Sequence, residues 1–307
     1  MTPLILGVHG LANKPPKETV SAWWKMSIIE GLVKNCKLSA PSFDFQMVFW
    51  ADLLYKNRLH NDEDFPFDSL YNKEPYLEAK TGSLKTYRES WRDELQRRPL
   101  ELIGNSLDAF RLRFDVGFLS DPLLNAFMQD LQLYYKNDRK IKNRQGKLEL
   151  MRWVIRDELK SAIRQAKGRK IAVIGHSMGS IIAYDVLRDL GQTDSDLQVA
   201  SLITIGAPLG LPLIKSEIIK ERGYDPRVRT PSIVTESWMN YADKRDVIAA
   251  DAHLADDYEA NDRGIGVTDD AIANDYIFPN GLPGFHKSYG YLRTPEFSQY
   301  IKEFLGL

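Results

Sequence analysis

The sequence predicts an α/β protein, a doubly wound and mostly parallel sheet carrying a largely helical insertion. Three observations lead there: a buried strand, a sharp turn and a helix in immediate succession around Ser177; a strand–helix–strand unit at the start of the chain; and strand–helix alternation that resumes after a long charged stretch.

Leu4 to Val8 is a short apolar strand that empties into His9-Gly10-Leu11. A helix from about Thr19 to Lys34 follows, with Thr19 as N-cap and Val20, Trp24, Ile28 and Leu32 recurring every four residues as its buried stripe. Phe43 to Trp50 is the second strand, ending at Ala51-Asp52, and completes a βαβ unit. From Leu53 to Gly146 the chain is rich in charge, Tyr and Asn and shows no further buried strand. A structureless loop of that length is foreign to a compact domain, so residues 53–146 read as a helical cap or lid, with 1–52 and 147–307 forming the core. Most of the cap's large apolar residues fall between Pro99 and Tyr135.

Alternation then returns. Leu148 to Ala166 is helical and Gly168 ends it. Lys170 to Gly175 is a strand, and the helix behind Ser177 is stopped by Gly191. Val199 to Ile205 is a strand, about Leu213 to Arg222 a short helix, Ser232 to Tyr241 the last strand with a clear signature, and Thr294 to Leu307 a terminal helix.

Composition narrows the function classes. With 307 residues, 43% hydrophobic and 27% charged, the chain can bury a full core. A net charge of −1 supplies no basic field to recruit nucleic acid, so no nucleic-acid partner is expected. The single cysteine, Cys36, cannot form an internal disulfide and is assigned to packing. The N-terminal apolar run lacks a preceding basic segment and reads as a core strand, and no stretch is long and apolar enough for a transmembrane segment. A soluble, cytoplasmic protein is therefore expected.

The chemistry gathers at Gly175-His176-Ser177-Met178-Gly179. Glycines on both sides let a strand turn sharply into a helix, which exposes the serine oxygen at the carboxyl end of a sheet and beside a helix N-terminus. Such a turn is a nucleophile elbow. A serine hydroxyl is a poor nucleophile at neutral pH, so it needs a base and a group that orients the base. For an elbow serine the chain order is Ser, then Asp or Glu, then His. Two histidines follow Ser177. His286 lies in a glycine-containing loop before the terminal helix and is favoured as base, whereas His253 sits in an acidic, solvated turn. Two carboxylates leave the Ser232–Tyr241 strand. Asp246 is favoured because Val247-Ile248-Ala249 can anchor it, with Asp243, beside Lys244, as the alternative. The oxyanion donors are the backbone N–H groups of Met178 and Leu11, with Gly10 allowing close approach. His9 and His176 are assigned structural roles within their loops.

Taken together, Val8-His9-Gly10-Leu11, the elbow, Gly206-Ala207-Pro208, Asp246-Val247-Ile248-Ala249 and His286-Lys287-Ser288-Tyr289 resemble the α/β-hydrolase fold on its lipase and esterase side. The likeness covers about Thr2 to Asp52 and Leu148 to Leu307. It implies a sheet shortened at its start, a Ser177–His286–Asp246 triad, Leu11 and Met178 as oxyanion donors, a small-molecule or lipid acyl ester as substrate, and no cofactor. Some such lipases bind calcium; Asp251, Asp256 and Asp257 are candidate ligands, and a solvated acidic turn is the preferred reading of them, so no metal is expected. Pro99–Tyr135 is read as a fixed cap over the acyl pocket rather than a moving lid. The leading expectation is a serine carboxylic-ester hydrolase. Its rivals are an acyltransferase or thioesterase on the same machinery, and a non-catalytic module that binds lipid or protein.

Overall fold

In the computed structural model, alternate residues along each central strand go to opposite sides of one sheet. Leu4, Leu6 and Val8 of β1 (Pro3–Val8) enter one apolar cluster and Ile5 the other; in β5 (Lys170–His176), Ile171 and Val173 part from Ala172 and Ile174 in the same way. The description covers residues 2–10, 13–55, 75–79, 131–135, 139–194, 196–221, 223, 227–249 and 251–307.

The sheet runs β2-β1-β5-β6-β7-β8, where β2 is Asp44–Val48, β6 Val199–Ile205, β7 Val234–Ala242 and β8 Val267–Ala271. All five neighbouring pairs are parallel. The helices Met151–Gln165, Met178–Thr193 and Pro212–Glu221 bury their apolar stripes on one face, and Lys17–Cys36 and Pro295–Leu305 on the other. Strand order reverses between β1 and β5, and at such a switch point the loops leaving the strand ends diverge and open a crevice. His9-Gly10 follows β1 there and Ser177 follows β5. No helix among the described residues is long and apolar enough to cross a membrane.

Several elements depart from the sequence expectations. The first long helix starts at Lys17 behind Pro16, with no side-chain cap, so Thr19 lies inside its first turn; proline's fixed φ already suits a helix start. Gly191 does not stop the elbow helix, which continues to Thr193. A Cβ there would meet the Ser232 hydroxyl across space, which would have to turn aside. Leu148–Leu150 is strand β4, paired antiparallel with β3 (Lys140–Lys142) in a small hairpin, and the helix begins only at Met151. β8 was not anticipated. It reads Val-Thr-Asp-Asp-Ala because it is an edge strand, whose Asp269 accepts bonds from Asn240 Nδ2, Leu254 N and Ala255 N instead of packing in the core.

The expected insertion falls mostly outside the described residues, and with it the choice between cap and lid. Two described pieces of it dock on opposite faces. Glu30 accepts bonds from Ala79 N and Tyr76 Oη on the side of the first helix, while residues 131–135 are helical and bury Leu131 and Tyr134 against the elbow-helix side.

Candidate active site

Ser177 is one of three non-glycine residues with positive φ among those described, at φ 54° and ψ −126°. Such backbone is unfavourable for a residue with a Cβ and persists only where the surroundings hold it. Here they do. A Cβ on Gly175 would come 2.6 Å from Ser180 Cα, and one on Gly179 would overlap Val8 O, so both elbow glycines are set by close approach of backbone. Ser177 N donates to Ile205 O at 3.2 Å, tying the turn to the end of β6. The serine is 1% exposed, yet its Oγ has no hydrogen-bond partner among the described residues. A buried polar atom left unpaired is costly and needs a reason.

Across the end of β6 lies a histidine–carboxylate pair. His286 Nδ1 meets Asp246 Oδ2 at 2.7 Å and Oδ1 at 2.9 Å, and the carboxylate is fully buried. A carboxylate only accepts, so Nδ1 is the donor of this pair. Asp246 also accepts from Ile248 N at 3.0 Å and from Tyr291 Oη at 2.7 Å. Burial next to Asp246 holds the Tyr291 phenol well above its usual pKa, so it stays a donor. Gly206 separates the parts. A Cβ there would stand 2.9 Å from Asp246 Oδ2 and 3.3 Å from His286 Nδ1, and its φ is 55°.

The other two histidines near the elbow are held neutral. Burial, with help from Lys14, pushes His9 down to about 3; burial and then the neighbouring His286 put His176 well below its usual value. His9 Nδ1 donates to Gly10 O at 2.8 Å and its Nε2 accepts from Trp50 N at 3.2 Å, pinning the loop after β1 to the chain leaving β2. His176 Nε2 donates to His286 O at 2.8 Å, and the two rings lie 4.8 Å apart. The residue before the serine therefore contacts the loop that carries the histidine.

Each expected site residue can now be placed. His286 and Asp246 meet beside the carboxyl end of β6, the strand end to which the Ser177 turn is tied, but no hydrogen bond joins Ser177 Oγ to His286 among the described residues. Met178 opens the elbow helix, so its N–H is among the first-turn donors with no partner inside the helix. Gly10 reaches the elbow, since a Cβ there would lie 2.9 Å from Ser177 Cβ. Leu11 is outside the described residues. His253 is exposed beside the turn Leu254–Asp256, with its N–H on Asp251 Oδ1. Asp243 lies in the loop leaving β7. It is fully buried, and its carboxylate is taken by Arg245 and by Asn274 N at 2.7 Å. Among the described residues no group of His, Cys, Asp and Glu is arranged to hold a metal ion. Sequence reasoning missed Tyr291 and Asn274, and nothing in the local pattern around a tyrosine or an asparagine distinguishes them.

The chain is an α/β protein with a six-stranded parallel sheet, helices on both faces and a strained strand-to-helix turn at Ser177. No family model matches the sequence, and no curated protein matches it. Similar solved structures include the type II thioesterase BorB from the borrelidin biosynthetic cluster, at 16% identity over 50% of this chain and 69% of that one, with a TM-score of 0.29. Est1E from Butyrivibrio proteoclasticus is 13% identical over 50% of this chain and 71% of that one, with a TM-score of 0.29. ClbQ from the colibactin NRPS/PKS pathway is 12% identical over 98% of this chain and 99% of that one, with a TM-score of 0.30. Scores this low carry no information about activity.

Proposed function

We propose that the protein is a serine hydrolase that cleaves carboxylic esters through an acyl-enzyme. The observation that carries this reading is the buried Oγ of Ser177 on a strained elbow, with no hydrogen-bond partner among the described residues, together with a histidine at the end of β6 whose Nδ1 is committed to a buried carboxylate. Ser177 Oγ attacks the acyl carbon while His286 Nε2 takes its proton. The tetrahedral oxyanion is met by Met178 N–H and Leu11 N–H. Collapse breaks the bond to the alcohol, which leaves with the proton held by His286. Water then repeats the sequence in reverse roles and releases the acid. Asp246 keeps Nδ1 protonated and stabilises the imidazolium that forms. Residues 53–146 are assigned to a cap bounding the acyl pocket.

A fluorophosphonate probe is expected to label the wild type and not Ser177→Ala; equal labelling of both removes Ser177 from the role. Turnover of p-nitrophenyl esters from acetate to palmitate, with and without detergent micelles, separates a carboxylesterase from a lipase. An S-acyl thioester in the same series tests the thioesterase reading.

A further inference from the structure

The loop carrying His286 is gripped by its backbone. Three consecutive carbonyls are each taken by a side chain from elsewhere: Asn274 Nδ2 donates to Phe285 O at 2.9 Å and to Lys287 O at 2.8 Å, and His176 Nε2 donates to His286 O between them. One amide nitrogen thus spans the histidine. An –NH2 group is suited to this because it offers two hydrogens about 120° apart on a single atom, which a carboxylate or a hydroxyl cannot.

Asn274 is itself fixed. It is 2% exposed, its Oδ1 accepts from Tyr276 N at 3.0 Å, and its own N–H donates to Asp243 Oδ2. Gly290 leaves room for it, since a Cβ there would fall on Asn274 Oδ1. Asp243 closes the path, because its backbone N–H donates to Tyr291 Oη at 3.1 Å and that hydroxyl donates to Asp246. The contacts therefore form a ring, from Asp246 to His286, through the carbonyls beside it to Asn274, on to Asp243 and Tyr291, and back to Asp246. Residues from the ends of β7 and β8 and from the segment before the terminal helix all contribute.

We propose that Asn274 is a positioning residue for His286. It fixes the backbone on both sides of the ring so that Nδ1 stays on Asp246 and Nε2 faces the elbow. The inference rests on the reading of Ser177, His286 and Asp246 as the reacting group, and no residue of the ring other than those needs to touch substrate.

The test uses Asn274→Ala in the full chain. A reacting group displaced by about 1 Å typically loses on the order of a hundredfold in rate, so kcat on p-nitrophenyl acetate is expected to fall between about tenfold and a hundredfold with KM nearly unchanged. The far-downfield proton resonance of a histidine Nδ1–H bonded to a carboxylate is expected in the wild type and lost or broadened in Asn274→Ala. Ser201→Ala, at the opposite end of β6, is the stability control. If Asn274→Ala does not fold, Asn274→Asp carries the same test, because it keeps the volume and the acceptor for Tyr276 but loses both donors. An unchanged kcat with the resonance intact overturns the proposal, as does a rate loss no larger than that of an equally destabilised Ser201→Ala. If the wild type shows neither labelling nor turnover, the triad reading fails, and the resonance still decides whether Asn274 holds His286.

Discussion

Two buried polar clusters flank the elbow helix, and they are built on opposite terms. On its outer side, Arg156 is fully buried and lies 2.5 Å from Asp185, 3.1 Å from Glu221 and 3.4 Å from Asp189, with its Nε on Tyr134 Oη. Arg152 and Arg188 reach the same Glu221, and Lys160 pairs with Asp189. A cavity of about 500 Å³ opens here, lined by these arginines, Trp153 and Glu221, but its charges already face one another. At the N-terminal end of the same helix, the opposite economy holds. His9 and His176 are held neutral, Asp246 pairs with His286, and the Ser177 hydroxyl has no partner among the described residues. The ion pairs on the outer side, with Tyr134 Oη bonded to Asp185, tie the helices and the 131–135 segment together.

The sharpest way to break this contrast is to exchange the two aspartates at the end of β7. Asp246→Asn frees His286 to adopt the wrong tautomer, and kcat is expected to fall about 10⁴-fold, with little change in KM. Asp243→Asn, which acts only through Asn274 and Arg245, should fall much less. Steady-state kinetics on one ester settles it, and a reversed ranking would move the acid to Asp243.

The outer cluster should respond in stability and not in chemistry. Arg156→Met removes the main countercharge of the buried Asp185, leaving it Tyr134 Oη and a 3.5 Å pair with Arg188, and is expected to cost about 3 kcal/mol by urea unfolding, with turnover per folded molecule unchanged. The double variant Arg156→Met/Asp185→Leu should recover most of that loss. Should the single variant unfold no more easily, the cluster is not the anchor described.

The smallest effect concerns the neutral histidines. His9 has an ordinary value of 6.5 and a folded value of about 3, so between those limits the unfolded chain binds a proton that the native chain refuses. Its contribution is present above pH 6.5 and drains away as pH falls toward 3. His176 acts in the same direction. The slope of unfolding free energy against pH across pH 4–6 should therefore be shallower in His9→Asn than in the wild type, by up to about 1.4 kcal/mol per pH unit. Identical slopes would contradict a neutral, buried His9.

The sequence by itself determined the layered fold and the elbow. The β1, β5 and β6 strands, the flanking helices and Gly175-His176-Ser177-Met178-Gly179 are local patterns, and periodicity and steric demand are written into neighbouring residues. Chain order pointed to His286 and left Asp246 and Asp243 as the two candidate acids; Asp246 is the one that meets His286, at 2.7 Å. Local rules misjudged ends and edges. Gly191 answers to Ser232 across space rather than to its own helix, and β8 has too little apolar surface to announce itself. Tertiary structure alone decided which aspartate faces the histidine, that Tyr291 donates to it, and that Asn274 grips the loop from β8. Those are choices of hydrogen-bond partner among loops distant in sequence, and a partner is chosen only when the strand ends that carry the loops are brought side by side.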